Sequence, residues 1–230
     1  MSPTSASPSF PLTRQSAFSY HCNQCSRCCY DKTIQLNPYE VARLAHNRGM
    51  STTDLIRRYT DASGAALKRT DAGACVFLTS EGCGVHPDRP LVCRLYPLGR
   101  HIKASGEERF SEVTPHPQSE GIYGKDKTVA DYLETQGAEP FIQAVDRYLD
   151  LLGRMAIALR KSLHAASVTQ GGGGAAVISV EAGSGAPEWL DMDSVVSNYC
   201  KQRGLSEPDD PIDKMAIHVR AIETWLDTLS

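Results

Sequence analysis

The sequence predicts an α-rich α+β fold, in which a small, irregular, cysteine-rich region with short strands is followed by helices. Three observations support this prediction. Seven of the eight cysteines lie within the first 93 residues. Prolines and glycines interrupt the chain around the last three of those seven. In the second half, apolar residues recur at helical spacing. The 230 residues are enough for one domain with an appendage or for two small domains.

The first half of the chain carries short elements with clear boundary signals. Residues 32–36 are β-branched and alternating, which predicts a strand. Asn37 and Pro38 provide an N-cap and a first-turn proline for a helix that stops at Gly49. A serine and an aspartate at the start of residues 51–59 resemble a capping box and predict a second helix.

The middle of the chain is predicted to be irregular and then to become regular again. Residues 74–99 contain three prolines and three glycines, which argues against a long helix or strand. Two short runs within residues 101–113, on either side of Ser105 and Gly106, predict a β-hairpin. Thr128 is the predicted cap of the helix that follows and ends near Gln136.

The second half is predicted to be helical. The longest helix spans residues 140–164, and two more are expected around 188–203 and 210–229. In the longest helix, helical spacing is kept by the apolar residues Phe141, Val145, Tyr148, Leu149, Leu152, Met155, Ala156 and Leu159.

Composition divides the chain into five predicted regions. They are a disordered tail (1–16), a cysteine-cluster domain (17–125), a helical extension (126–166), a Gly-rich linker (167–187) and a C-terminal helical segment (188–230).

Charge and hydrophobicity exclude several classes of partner. The formal net charge of −3 gives no electrostatic case for nucleic acid. No apolar run reaches the roughly 20 residues that a membrane-spanning helix needs. The first sixteen residues lack the apolar core of a secretory signal. We therefore expect a cytoplasmic protein with reduced thiols, in which clustered cysteines are metal-binding or catalytic.

The first thiol group comprises four cysteines in the pattern Cys-x-x-Cys-x-x-Cys-Cys. As a helix or as a series of turns, this spacing brings the four sulfurs together, as a metal requires. The adjacent pair is a poor disulfide because bridge geometry strains neighbouring cysteines. Four buried apolar thiols are the alternative, but four cysteines in eight residues favour a metal site. The members of this group are Cys22, Cys25, Cys28 and Cys29.

The second thiol group consists of Cys75, Cys83 and Cys93. Arg89 and Arg94 lie beside it and are the predicted cofactor-contacting cations, since arginine stays charged and can donate to sulfur. Arg27 and Lys32 are candidates for the same role beside the first thiol group.

Seven thiols exceed the four that one zinc ion or one cubane cluster needs. Two metal sites, one site with structural thiols, and one site with a reactive pair all remain open. An iron–sulfur cluster is favoured over zinc because the compact run and the surplus of thiols suit clusters. An oxidised thiol scaffold is a further alternative.

With both thiol groups in view, residues 18–99 resemble the YkgJ-type cysteine-cluster family, CxxCxxCC, a zinc- or iron-chelating domain. The matching motifs are the run at 22–29, Cys75-x-Phe77-Leu78, Cys83, and Arg-Pro-x-x-Cys-Arg-x-Tyr-Pro at 89–97. The resemblance implies a metal-binding or iron–sulfur protein with a structural, redox or metal-handling role. One branch of the family includes a flagellin lysine N-methylase, which implies the alternative of a protein-modifying enzyme.

The chain departs from the family pattern at two places. Many members have tyrosine where His86 stands, and many have a further Cys-x-Gly downstream, where this chain has the region of His116. His116 is therefore a candidate replacement ligand, because imidazole nitrogen binds these metals. Cys200 lies in a helix-like pattern and is predicted to be a buried core thiol. No catalytic residue or protein partner is identified.

Overall fold

The computed structural model describes residues 11–103, 105–169 and 188–228, and in these ranges the chain is a mixed α+β protein. The helices are α1 (Pro38–Asn47), α2 (Thr52–Tyr59), α3 (Leu91–Leu95), α4 (Val129–Thr135), α5 (Glu139–Thr169), α6 (Met192–Arg203) and α7 (Pro211–Asp227). The strands are β1 (Ala17–His21), β2 (Leu78–Thr79), β3 (Gly82–Cys83), β4 (Leu98–Ile102), β5 (Glu108–Glu112) and β6 (Ile122–Thr128). Short 3₁₀ turns lie at Arg27–Cys29, His86–Asp88 and Glu188–Leu190.

The chain forms two compact units, and each is built from two separate stretches. The cysteine unit comprises Met1–Lys32 and Arg69–Pro140, and the helical unit comprises Thr33–Lys68 and Phe141–Ser230. All seven candidate ligands belong to the cysteine unit. This division differs from the predicted continuous domain over residues 17–125, because the stretch carrying α1 and α2 belongs with the C-terminal helices.

Three two-stranded antiparallel sheets organise the cysteine unit: β1 with β6, β2 with β3, and β4 with β5. The β4–β5 hairpin confirms the hairpin predicted around Ser105 and Gly106, although it begins earlier, at Leu98. The sequence did not predict the β1–β6 pair, in which His21 lies opposite Ile122. This pair matters for the site because the first thiol group begins directly after β1.

Residues 11–16, the described part of the tail predicted for residues 1–16, are attached to β5 by hydrogen bonds. Leu12 exchanges two backbone hydrogen bonds with Phe110, of 3.0 and 2.8 Å. The Arg14 guanidinium binds Glu108, with Nε 2.6 Å from Oε2. Residues 1–10 of the predicted tail lie outside the described residues. The contacts of Leu12 and Arg14 attach the start of the described chain to β5.

Local signals correctly placed the first helices of the helical unit. Asn37 caps α1 in a capping box with Glu40, whose Oε2 accepts from the Asn37 amide at 3.0 Å. Ser51 caps α2 by accepting a hydrogen bond from the Asp54 amide at 3.1 Å. The strand predicted over residues 32–36 is wrong, because this stretch forms only one isolated bridge, from Gln35 to Ala66.

Helix α5 confirms the predicted long helix and extends it through Thr169. Two of the apolar residues at helical spacing, Leu149 and Leu152, are 56% and 38% exposed. Four of the five buried residues follow i, i+3, i+7 and i+10 from Phe141, which is a helical repeat, and Ile142 adjoins them. The side chain of Leu159 and residues 170–187 of the predicted linker lie outside the described parts. The buried residues are Phe141, Ile142, Ala144, Tyr148 and Leu151.

The two C-terminal helices confirm the prediction, with Asp191 capping α6 and Asp210 capping α7. Thr52, at the start of α2, donates its hydroxyl to Asp191 at 2.5 Å and its amide to Asp193 at 2.7 Å. Asp191, which caps α6, and Asp193, in the first turn of α6, therefore accept hydrogen bonds from Thr52 at the N-terminus of α2. Cys200 is buried in this unit, at 1% exposure. Among the described helices, none combines the length and the apolarity needed to cross a membrane.

A buried histidine lies in the core of the helical unit. His218 has no exposed surface, and its Nδ1 lies 3.0 Å from the hydroxyl of Tyr148. Burial lowers the pKa of His218 to about 4, because the charged imidazolium loses its hydration there. The ring is therefore neutral in the folded protein at neutral pH.

We expect the stability of the helical unit to fall as the pH drops from about 6.5 towards 4. The folded pKa lies below the unfolded value of about 6.5, so the unfolded chain takes up the proton first and the stability present above pH 6.5 is lost. This shift corresponds to about 3 kcal/mol of unfolding free energy at pH 4. Urea unfolding of the wild type and of His218→Gln across this pH range measures the effect. The carboxylates titrate in both proteins, so the difference between the two pH dependences is the contribution of His218. Identical pH dependence in the two proteins would contradict it.

Candidate metal centre

The first thiol group lies in a loop of tight turns directly after β1. Gln24 and Ser26 have positive φ angles of 55° and 61°, and a 3₁₀ turn then carries Arg27–Cys29. Left-handed backbone at non-glycine residues is uncommon and marks a conformation that the surrounding structure must hold in place. The turn conformation, one of the two that the sequence allowed, is therefore the one adopted.

Backbone hydrogen bonds bring the start of the second thiol group to the first. The Asp31 amide donates to the Gly73 carbonyl at 2.9 Å, and the Cys75 amide donates to the Cys29 carbonyl at 2.8 Å. Gly73 has φ +79°, and a Cβ there would lie 2.3 Å from Oδ1 of Asp31. Glycine adopts this positive φ without strain, whereas another residue here would be strained and would displace the Asp31 side chain. Cys75 is consequently held beside Cys29, although the two are 46 residues apart in sequence.

Short elements carry the other two cysteines of the second thiol group. In the β2–β3 hairpin, Leu78 lies opposite Cys83. The Gly84 amide closes this hairpin by donating to the Phe77 carbonyl at 2.9 Å. Cys93 lies within the five-residue helix α3. The prediction that residues 74–99 contain no long regular element is thus confirmed.

The adjacent thiols of the first group differ in acidity. The pKa of Cys28 is lowered to about 7, chiefly because the Cys29 thiol hydrogen-bonds to it, with Lys32 and Arg89 adding favourable positive charge. The pKa of Cys29 is raised by that same hydrogen bond and by burial. The pair therefore loses its first proton more readily than an isolated thiol, and the two sulfurs share the proton that remains.

Electrostatic coupling extends from this pair to the second thiol group. Negative charge on Cys93 and Cys83 contributes to the raised pKa of Cys29. Burial raises the pKa of Cys75, and the charges of Cys83 and Cys28 add to this effect. Five of the seven sulfurs thus influence one another, which requires them to share one neighbourhood of the cysteine unit.

Each thiol group contains a sulfur that accepts a hydrogen bond from the backbone amide two residues later. The Gln24 amide lies 3.4 Å from Sγ of Cys22. The Phe77 amide bonds to the sulfur of Cys75 in the same way and lowers its pKa. An amide aimed at sulfur favours the thiolate, which is the form that binds metal.

The thiols are accessible without being fully exposed. Cys22 is exposed, the other six candidates are half-buried, and all eight cysteines of the chain lie outside disulfides. Within the described ranges, no three Cys, His, Asp or Glu side chains converge closely enough to hold one metal ion. The backbone brings the two groups together, whereas the sulfurs themselves are not gathered into a coordination shell.

The candidate histidines lie on the surface. His116 is exposed, and its Nδ1 accepts a hydrogen bond from the Gln118 amide at 3.1 Å. His86 is also exposed, and its pKa is lowered by partial burial and by the nearby charges of Arg89 and Arg94. The suggestion that His116 replaces a missing cysteine ligand stays a prediction.

The two predicted cofactor-contacting arginines have different surroundings. Arg94 is buried, and its guanidinium donates to the carbonyls of Arg89 at 2.9 Å, Gln136 at 2.7 Å, and Pro87. Arg89 binds the His86 carbonyl and the Gln136 side chain, both at 2.7 Å, and its charge lowers the pKa of Cys28. Arg94 thus has a framework role that the sequence did not indicate, and Arg89 acts electrostatically on the thiols.

A tyrosine cluster beside the thiols was missed by the sequence analysis. The Tyr20 ring lies 5.0 Å from Tyr123, 6.1 Å from Tyr96 and 6.4 Å from Tyr132, measured between centroids. Burial raises the pKa of Tyr20 to about 12, and a nearby charge on Cys22 contributes. Three separate segments supply these rings, so no local pattern could have indicated the cluster.

Comparison with known proteins agrees with this chemistry. Residues 21–116 match the family CxxCxxCC, described as "Putative zinc- or iron-chelating domain". The chain is 28% identical over 89 residues to the uncharacterized protein MJ0661 of Methanocaldococcus jannaschii. The aligned region covers 36% of this chain and 47% of the relative. The match thus spans about half the length of that relative. No solved structure matches the chain. Residues 21–116, less than half of the chain, are therefore similar to the CxxCxxCC family of zinc- or iron-chelating domains.

Proposed function

We propose that the cysteine unit holds an iron–sulfur cluster, with thiolate ligands drawn from both thiol groups. The observation that carries the proposal is the repeated N–H···S turn, at Cys22 in one group and at Cys75 in the other. Backbone amides placed in this way stabilise bound thiolates without needing a side chain. Such a cluster supplies one-electron transfer, or a structural clamp, when it is bound.

The charges around the thiols suit a negatively charged centre. Four thiolates on one divalent ion already carry a net charge of −2. The cations Lys32 and Arg89 lower the pKa of Cys28 and so offset such charge. Because the sulfurs do not converge by themselves, binding requires thiol side chains to rotate about a backbone held by the Cys29–Cys75 hydrogen bond.

Iron is favoured over zinc because the candidate ligands are all cysteines, four of them in a compact run, which is the donor set that iron–sulfur clusters use. A structural zinc site closes with four ligands, and these are commonly cysteine and histidine. Here seven cysteines belong to one compact unit, and the candidate histidine ligand His116 is exposed. We also propose a reducing, cytoplasmic setting, which keeps such thiols available.

Anaerobic purification with metal and sulfide analysis tests the proposal. We expect iron and acid-labile sulfide in comparable amounts per chain, with charge-transfer absorption in the visible region. Cys200→Ala is the matched control, since this buried thiol lies in the helical unit and its loss should leave the metal content unchanged. A colourless protein with stoichiometric zinc and no sulfide would exclude the cluster but retain the metal site. Absence of any bound metal would overturn both.

A further inference from the structure

In the described part of the cysteine unit, two buried side-chain atoms have no hydrogen-bond partner: the Tyr96 hydroxyl and Nε of Arg109. The Tyr96 hydroxyl is inaccessible to solvent and forms no hydrogen bond within the described parts of the chain. Leaving a hydroxyl buried and unpaired is unfavourable, so such groups in folded proteins usually reflect a functional constraint or a missing partner. Tyrosine is tolerated in such a position when its O–H reaches a partner.

Tyr96 lies among groups that interact with the thiols. Nζ of Lys32 is 5.3 Å from the centroid of the Tyr96 ring, and Lys32 follows Cys29 by three residues. On another side, the Tyr20 ring packs edge-on at 6.1 Å, and Tyr20 precedes Cys22 by two residues. The Tyr96 ring therefore contacts residues that flank the first thiol group on both sides.

A hydrogen bond and buried neighbours hold the backbone of Tyr96 in place. The Tyr96 carbonyl accepts a hydrogen bond of 2.5 Å from the Tyr132 hydroxyl. Leu95 and Pro97 on either side are buried, and Cys93 lies three residues earlier on helix α3. An alternative ring position that hydrates the hydroxyl would have to disturb this packing.

We infer that the Tyr96 hydroxyl is a hydrogen-bond donor to a sulfur atom of the metal centre. This inference rests on the proposed function and identifies a positioning residue for that site. A phenol donating to a thiolate or sulfide stabilises the negative charge on sulfur, as outer-shell donors do at other metal centres. It complements the amide donors of Gln24 and Phe77, which serve Cys22 and Cys75.

Tyr96→Phe tests the inference in two states of the protein. In the metal-free protein we expect stability equal to or above that of the wild type, because the change removes no hydrogen bond and deletes a buried unpaired group. In the loaded protein we expect Zn²⁺ affinity, measured by chelator competition, to fall about 10-fold or more. An iron–sulfur form should also show a lower reduction potential, because the donor to sulfur is lost.

Tyr123→Phe is the matched control. This tyrosine belongs to the same cluster but is 38% exposed, so its hydroxyl can be hydrated and its loss should change neither stability nor affinity. A Tyr96→Phe protein that binds Zn²⁺ as tightly as the wild type would overturn the Tyr96 assignment alone. Destabilisation of its metal-free form would also overturn that assignment, since it would show that the hydroxyl already has a protein partner. Failure of the wild type to bind metal would overturn the proposed function itself.

Discussion

Replacing Cys75 with serine is expected to lower metal affinity by at least about 100-fold and to reduce the metal content of the purified protein to a small fraction. Cys75 is the residue at which the two thiol groups meet, because its amide binds the Cys29 carbonyl and its sulfur accepts the Phe77 amide. In such sites the binding free energy is partly folding free energy. The variant should therefore also unfold at a lower temperature than the loaded wild type.

Metal analysis and thermal unfolding under anaerobic conditions measure this effect. Cys29→Ser should behave in the same way if both thiol groups contribute to one centre, and Cys25→Ser and Cys93→Ser are expected to lose metal too. Cys200→Ala should retain the wild-type metal content. Full metal content in both Cys29→Ser and Cys75→Ser would show that the two groups do not share a site.

Replacing Arg94 with methionine is expected to destabilise the cysteine unit by about 3–5 kcal/mol, whether or not metal is bound. The buried guanidinium donates to three backbone carbonyls, at Arg89, Gln136 and Pro87. Methionine preserves most of the side-chain volume but leaves these acceptors without their donor, and each unsatisfied buried group costs about 1–3 kcal/mol.

Urea unfolding of the metal-free proteins measures the Arg94 effect. Arg27→Met is the control, because Arg27 is exposed and its loss should change stability by less than about 0.5 kcal/mol. Arg94→Lys should be intermediate, since lysine keeps the charge but cannot reproduce the planar geometry of the guanidinium. Wild-type stability in Arg94→Met would show that the three carbonyls find other donors.

The elements that sequence reasoning located are those fixed by neighbouring residues. Asn37, Ser51 and Thr128 all cap helices where the pattern of polar and apolar residues placed them. Capping depends on contacts within about four residues, so it can be read from a short stretch of sequence. The β1–β6 pair was missed because its register joins segments about 100 residues apart and has no local signal.

The candidate site was predictable in composition but not in arrangement. The spacing from Cys22 to Cys29 indicated a metal-binding group, and the matched family agrees with that interpretation. The framework role of Arg94 and the unpaired Tyr96 hydroxyl depend on how helices α3 and α4 meet the surrounding loops. Those contacts are long-range, and the family motif marks the two residue types without specifying what each one touches.

The interleaving of the two units has a consequence for how the protein is made. Ribosomes add roughly 5–20 residues per second, so Cys75 follows Cys29 by roughly 2–9 seconds. During that interval the first thiol group has emerged, while the backbone that clamps it through Cys75 is still being synthesised. If the proposed centre draws ligands from both thiol groups, it can assemble only after the stretch through Cys93 has been translated. Until then, four closely spaced thiols are open to oxidants and to unintended metals.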